Sequence, residues 1–311
     1  MIAYRTVIPR WQAFSLLLTP LLAPLAEARP SAEDEKADAA STATAEAWVR
    51  LAEDDQGKAA ALEVAVASYA PNEAAGRTGY TVDLVGAIHV GDRDYYRELN
   101  RRFREYDSVL YELVAPDGTV VPRGRGTSST NPLGAVQNGM KSMLGLEHQL
   151  EQVDYTRANF VHADISPDQF LESMERRDES FSKMYFRMVG QAIAQQSRQS
   201  ALGESADLDI FSALMSKDRP RRLKIALAKQ FGAMDDLLSG LSGPNGSTII
   251  TERNKRALEV LRQRIDAGDR RIAVFYGAGH LSEMHDELLE GFGLEQTSKK
   301  WLEAWDLRPD E

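Results

Sequence analysis

The chain carries one short motif twice, Gly86-Ala87-Ile88-His89 and Gly277-Ala278-Gly279-His280, each time in the same local setting. An apolar, strand-like run leads into each copy: Tyr80 to Val90 contains the first, and Arg271 to Tyr276 precedes the second. Helical spacing of apolar residues follows both. A strand that feeds a helix in this way places each histidine near a carboxyl strand end. In open α/β sheets, ligands bind in the crevice beyond those ends. Glycine lets the backbone turn sharply and lets a ligand approach. A common sheet edge would therefore bring His89 and His280 together despite their separation in sequence.

The surrounding pattern supports an α/β fold. Leu62 to Ala70 alternates and reads as a strand, and turn residues from Pro71 to Gly79 join it to Tyr80–Val90 as an antiparallel hairpin. Asp92 to Tyr106 has helical spacing, with Tyr95 or Tyr96, Leu99 and Phe103 on one face, and Asp107 to Val114 is a compact apolar strand. Strand, helix, strand over this length is a βαβ unit with parallel strands. A short helix is expected from Ala45 to Glu53, and a Gly/Pro/Ser/Thr-rich loop from Ala115 to Asn131. Pro132 to about Gly268 reads as mostly helical, with a start signal at Ser166-Pro167-Asp168 and a break at Gly240 to Gly246. Leu294 to Leu307 supplies one or two closing strands, with Trp301 and Trp305 as core bulk. The expectation is a single α/β domain over residues 46–311. It has a mixed central sheet with a βαβ unit, and a large helical insertion, about 132–268, capping the strand C-terminal edge.

Bulk properties exclude several function classes. The net charge of −10 disfavours nucleic acid and anionic lipid surfaces. The basic stretch from Arg219 to Lys224 reads as a solvated helix face. With no cysteine there are no disulfides, thiolate nucleophiles or Cys-ligated metals. Arg5 and Arg10, the apolar run from Trp11 to Leu25 and the small-x-small Ala26-Glu27-Ala28 read as a signal peptide over residues 1–28. Export to the periplasm or the exterior is the expectation. A disordered mature N-terminus over 29–45 should follow, and no stable membrane span is expected in the mature chain.

Glu112 joins the two histidines by the same strand-end logic. A glutamate inside Leu110-Tyr111-Glu112-Leu113-Val114 is costly to bury without a partner, and such carboxylates cluster at functional sites. Two imidazoles and a carboxylate make a three-ligand metal site with open positions. Without a metal, one histidine would act as general base with the glutamate orienting it, and spacing does not choose between the two. Other candidates have ordinary readings. His148 falls in a helical region, His162 at a strand or turn, and His285 on an exposed helix face. Met140, Met143, Met174, Met184 and Met188 suit core or lid packing. No Gly-x-Ser-x-Gly elbow or P-loop is present.

Several blocks together resemble the TraB/Tiki (TraB/PrgY/GumN) family. They are Val85-Gly86-Ala87-Ile88-His89-Val90, Tyr111-Glu112-Leu113, Glu252-Arg253-Asn254, Tyr276-Gly277-Ala278-Gly279-His280-Leu281 and Trp301-Leu302-Glu303-Ala304-Trp305. The resemblance runs from about Leu62 to the C-terminus and is loose in the middle helical region. It implies a metal-dependent hydrolase, since Tiki members are membrane-associated metalloproteases that use the paired motifs and the glutamate. His89, His280 and Glu112 would be the metal ligands, and Glu112 and Arg253 the catalytic side chains. The ion would be manganese, cobalt or zinc, and the substrate a peptide or other small molecule cleaved at a peptide or amide bond. Unlike Tiki proteins, this sequence shows no C-terminal membrane anchor. The wider superfamily includes erythromycin esterases, which use histidine without metal, and haem-binding lipoproteins. A metal-free esterase-like hydrolase and a non-enzymatic haem- or peptide-binding protein are therefore the alternatives.

Overall fold

The first hairpin read from the sequence forms one side of a seven-stranded mixed sheet. A computed structural model describes residues 47–73, 77–122, 144–180, 212–213, 215–229 and 246–309, all of which fall in one unit. The chain begins with strands β1 (Val49–Glu53), β2 (Ala59–Pro71), β3 (Thr81–Ala87) and the short β4 (Val90–Gly91). Helix α1 (Arg93–Arg102) follows, closed by a 3-10 turn over Phe103–Glu105, and then β5 (Ser108–Tyr111). Next come β6 (Glu147–His148), α2 (Gln149–Gln152), β7 (Phe160–His162) and α3 (Pro167–Arg176). A π-helical turn over Thr248–Glu252 leads into α4 (Arg253–Ala267) and β8 (Arg271–Gly277). A 3-10 turn over Ala278–His280, helix α5 (Leu281–Glu290) and β9 (Leu294–Asp306) complete the order.

The main sheet runs β1-β2-β3-β8-β5-β7, with β9 also paired to β2. The β2–β3 hairpin is antiparallel, with Val66 opposite Val85. From β3 to β7 every pairing is parallel. The strands β3 and β5 of the βαβ unit are thus parallel, but β8 lies between them and contacts both.

Side-chain alternation splits the core between the two faces of this sheet. Ala273 and Phe275 of β8 join Tyr95, Tyr96, Leu99 and Phe103 from α1 and the turn that closes it. Ile272, Val274 and Tyr276 face the other way, toward Leu258 and Leu261 of α4 and Leu281, Met284 and Leu288 of α5. The expected α/β class and mixed sheet hold. No helix among the described residues is long and apolar enough to cross a membrane.

Several local expectations need correction. Val49–Glu53 is a strand, not helix: its backbone pairs with β2, and that ladder overrides the helical reading. The segment expected to be helical from Pro132 contains two strands, and β7 extends the main sheet beside β5. His148 lies in β6, which pairs with β4 just past His89. His285 is half-buried, with its Nδ1 2.7 Å from the Tyr69 hydroxyl. Leu294–Asp306 forms one strand; Trp305 is buried, while Trp301 is only partly so, under the Arg50 guanidinium 4.2 Å from its ring. The signal peptide, residues 29–45, Met140, Met143, Met184, Met188 and much of the expected insertion lie outside the described residues. The helix start at Ser166 holds: it forms a capping box with Gln169, with Pro167 in the first turn.

Neither motif glycine has a positive backbone φ, so a sharp left-handed turn is not why it is there. A Cβ on Gly86 would overlap Val64 Cγ2 and lie 3.1 Å from the Ala65 carbonyl oxygen of the neighbouring strand. Glycine at 86 therefore serves the close approach of β2 to β3. Gly86→Ala is expected to lower folding stability by about 1–3 kcal/mol, as overpacking does. Urea denaturation followed by far-UV circular dichroism checks this, and an unchanged midpoint would refute it.

Candidate functional site

Four parallel strands deliver the chemistry-bearing residues to one edge. His89 follows β3, Gly277 ends β8 and His280 follows it, Glu112 follows β5 and Asp164 follows β7. Helix α4 runs back toward the start of β8, so its first residue, Arg253, arrives at the same edge. The glutamate stays close to this edge because β5 ends at Tyr111, one residue before it.

Arg253 is the hub. Its Nη2 donates to Glu112 Oε1 at 2.7 Å and to Asp164 Oδ2 at 2.6 Å, and its Nε donates to Asp164 Oδ1 at 3.0 Å. The side chains are 11% exposed for Arg253, 14% for Glu112 and fully buried for Asp164. Backbone amides supply further hydrogen bonds: Gly277 N–H donates to Glu112 Oε2 at 2.7 Å, and Ile165 N–H to Asp164 Oδ1 at 2.8 Å. A Cβ on Gly277 would sit 3.2 Å from Glu112 Oε2, which gives this second motif glycine its own reason to be small. Burial alone would push the Glu112 carboxyl up. The Arg253 charge, then His280, His89 and the Gly277 amide, outweigh it and hold the group far below the usual carboxylate range. Burial likewise opposes the charge on Arg253, and Glu112 and Asp164 reverse that effect.

His280 is buried, and Asn254 orients its ring. Asn254 Nδ2 donates to the His280 carbonyl at 3.2 Å, so its Oδ1 faces His280 Nδ1, 2.7 Å away. An amide oxygen only accepts, so the network assigns the proton to Nδ1 and leaves a lone pair on Nε2. Burial pushes the His280 imidazole down to about 4, overriding the Glu112 charge that would raise it. The neutral Nε2 lies 3.7 Å from Glu112 Oε1, beyond hydrogen-bond range. Two acceptors face each other across a gap that suits a cation or a shared donor. Tyr276, beside this ring, donates to the Ala163 carbonyl and so ties the end of β8 to the segment after β7.

The site brings together Glu112, His280 and Arg253 from the expected set. His89 differs: its side chain is exposed at the rim, and it interacts electrostatically with Glu112 and His280. Among the described residues, no group of three His, Asp or Glu side chains stands at metal-holding distances. His162 is structural, with its Nε2 2.6 Å from the Leu113 carbonyl oxygen. Met174 is core. Two participants lie beyond the sequence reading. Asp164 sits just past β7, where the sequence reads His162 at a strand or turn but gives the aspartate itself no role. Asn254 stands in the Glu252-Arg253-Asn254 block, where the sequence marks it only as a neighbour of Arg253.

No protein-family model, no curated protein and no solved structure matches this chain.

Removing the hub would leave two buried carboxylates without their countercharge. Arg253→Ala is expected to cost about 3–5 kcal/mol of folding stability, the usual penalty for breaking a buried ion pair. Asp164→Asn keeps the shape and should cost less. Guanidinium denaturation of the three proteins checks this, and a loss for Arg253→Ala no larger than for Asp164→Asn would overturn the hub assignment.

Proposed function

We propose that the chain is a metal-dependent hydrolase acting on peptide or amide bonds, with its site at the shared edge of β3, β8, β5 and β7. One observation carries the reading: the oriented Nε2 lone pair of buried His280 facing the Glu112 carboxylate at 3.7 Å. An imidazole whose other nitrogen is held by a fixed acceptor is the usual preparation of a metal ligand. The charge balance agrees, since one arginine against two carboxylates beside a neutral imidazole leaves the cluster net negative.

His280 and Glu112 are the inner donors, and His89 would join them by turning its exposed ring inward from the rim. The donor set of two imidazoles and one carboxylate suits manganese, cobalt or zinc. A divalent ion there supplies Lewis acidity toward a substrate carbonyl. The rest falls to the chain's own groups. Asn254 holds the His280 ring so that Nε2 keeps its lone pair toward the site. Glu112, held by Arg253 and the Gly277 amide, keeps one oriented carboxylate at the edge. Arg253 Nη1 makes no hydrogen bond within the described residues, which leaves its N–H groups as donors for negative charge developing on a substrate oxygen. The resemblance to the TraB/Tiki family points to the same chemistry.

Full-length protein equilibrated with manganese, cobalt or zinc, then desalted, should retain metal by elemental analysis and cleave members of a quenched fluorescent peptide library. His280→Ala should abolish retention while keeping the native circular dichroism spectrum. Asn254→Ala should weaken metal affinity by roughly 10–100-fold, the usual effect of losing an outer partner. Cleavage that survives chelator undiminished would replace this reading with the metal-free esterase-like one. A Soret band on haem titration, without any hydrolysis, would favour the binding protein.

A further inference from the structure

At the opposite end of the sheet, an open cleft of about 360 Å³ is lined by Arg97, Asn100, Arg104, Asp154 and Arg157. Arg104 precedes the start of β5 and Arg157 the start of β7, so the cleft lies away from the carboxyl strand ends that carry Glu112 and His280. Among the described lining residues, three guanidinium groups stand against one carboxylate, in a chain whose net charge is −10.

The cleft is a constructed feature of the fold. Asn100 clamps the incoming loop to α1: its Nδ2 donates to the Gln152 carbonyl at 2.7 Å, and its Oδ1 accepts from Asp154 N–H at 2.9 Å. Asn159 fixes the far end of that loop through Nδ2 bonds to the Phe103 and Tyr106 carbonyls. Arg97 of α1 and Arg104 of the 3-10 turn that closes it both line the cleft. The neighbouring Arg101 and Arg102 are neutralised by Glu98, with Glu105 also on Arg101. Asp94 pairs with Arg97 through an exposed contact. Neither Arg104 nor Arg157 has an acidic partner among the described residues. Asp154, the lining carboxylate among the described residues, accepts from the Thr156 hydroxyl in its own turn at 2.6 Å. The Arg157 Nε is buried with no hydrogen-bond partner. A buried guanidinium N–H left unsatisfied is costly, and a small shift of the side chain toward an oxygen in the cleft would relieve it.

We propose that this cleft binds an oxyanion of the phosphate or sulfate monoester class. Arginine forks match the paired oxygens of such groups, and Arg104 and Arg157, which have no acidic partner among the described residues, supply two of them. The cavity has room for more than the bare ion, which favours an ester over the free form.

Isothermal titration of the full chain with inorganic phosphate at low salt, with sulfate and acetate as comparators, tests this. Phosphate and sulfate should bind and acetate should not compete. Arg104→Gln, at an exposed position, should raise the apparent Kd by about tenfold or more, as loss of a charge-assisted contact does. Arg157→Gln should do the same, and Arg101→Gln, outside the cleft, should leave the affinity unchanged. The proposal falls if phosphate does not bind, if acetate binds as tightly, or if Arg101→Gln weakens binding as much as Arg104→Gln.

Discussion

The buried pairing of Arg253 with Glu112 and Asp164 ties this fold to its site. Three charges out of water are costly, and only mutual neutralisation with good geometry makes such an arrangement tolerable. Here Arg253 gives two bonds to Asp164 and one to Glu112, while the Gly277 and Ile165 amides add a bond to each carboxylate. The triad pins the first residue of α4 to the ends of β5 and β7. Through Asn254, the next residue along, the same helix start sets the His280 ring. One ion network therefore fixes the helix, two strand ends and the imidazole together. Apolar packing of α4 against the sheet, which is non-directional, would leave these polar atoms free to slip.

The topology explains why these residues meet. Four neighbouring parallel strands end at a single edge, and helices α3, α4 and α5 begin there. Each strand delivers one polar side chain to that edge, namely a rim histidine, a buried histidine, a glutamate and an aspartate. The insertion of β8 between β3 and β5 puts the second Gly-x-x-His motif next to Glu112, and the register places Ala87 opposite Gly277. The two motif glycines look alike in sequence yet serve different contacts, Gly86 against β2 and Gly277 against Glu112. The opposite edge of the sheet is chemically different: there the arginines of α1, of the 3-10 turn that closes it and of the loop before β7 gather, and among the described residues Arg104 and Arg157 have no acidic partner.

Legibility in the sequence follows the range of the interaction involved. The β2–β3 hairpin, α1, the helix start at Ser166 and the strand-to-helix passage at His280 are local patterns, and all are readable. Val49–Glu53 reads wrongly as helix because its strand character comes from pairing with β2, not from its own composition. β7 is legible only in part: the sequence reads His162 at a strand or turn, but that the strand joins the main sheet comes from its pairing with β5, about fifty positions earlier. Without that pairing, nothing in the sequence brings Asp164 to the site edge.

The sequence by itself determined the α/β class, the two histidines and the strand-end glutamate as the residues to watch. Those follow from periodicity, from turn chemistry and from the cost of placing a carboxylate in an apolar run. Only the tertiary structure decided that Arg253 answers both Glu112 and Asp164, that Asn254 sets the proton on His280, and that His89 stands at the rim while His280 is buried. These are contacts between residues that are distant in sequence or whose roles depend on burial. Chain-local physics carries no information about which buried charge will meet which, because that is settled when the sheet order brings β8 between β3 and β5.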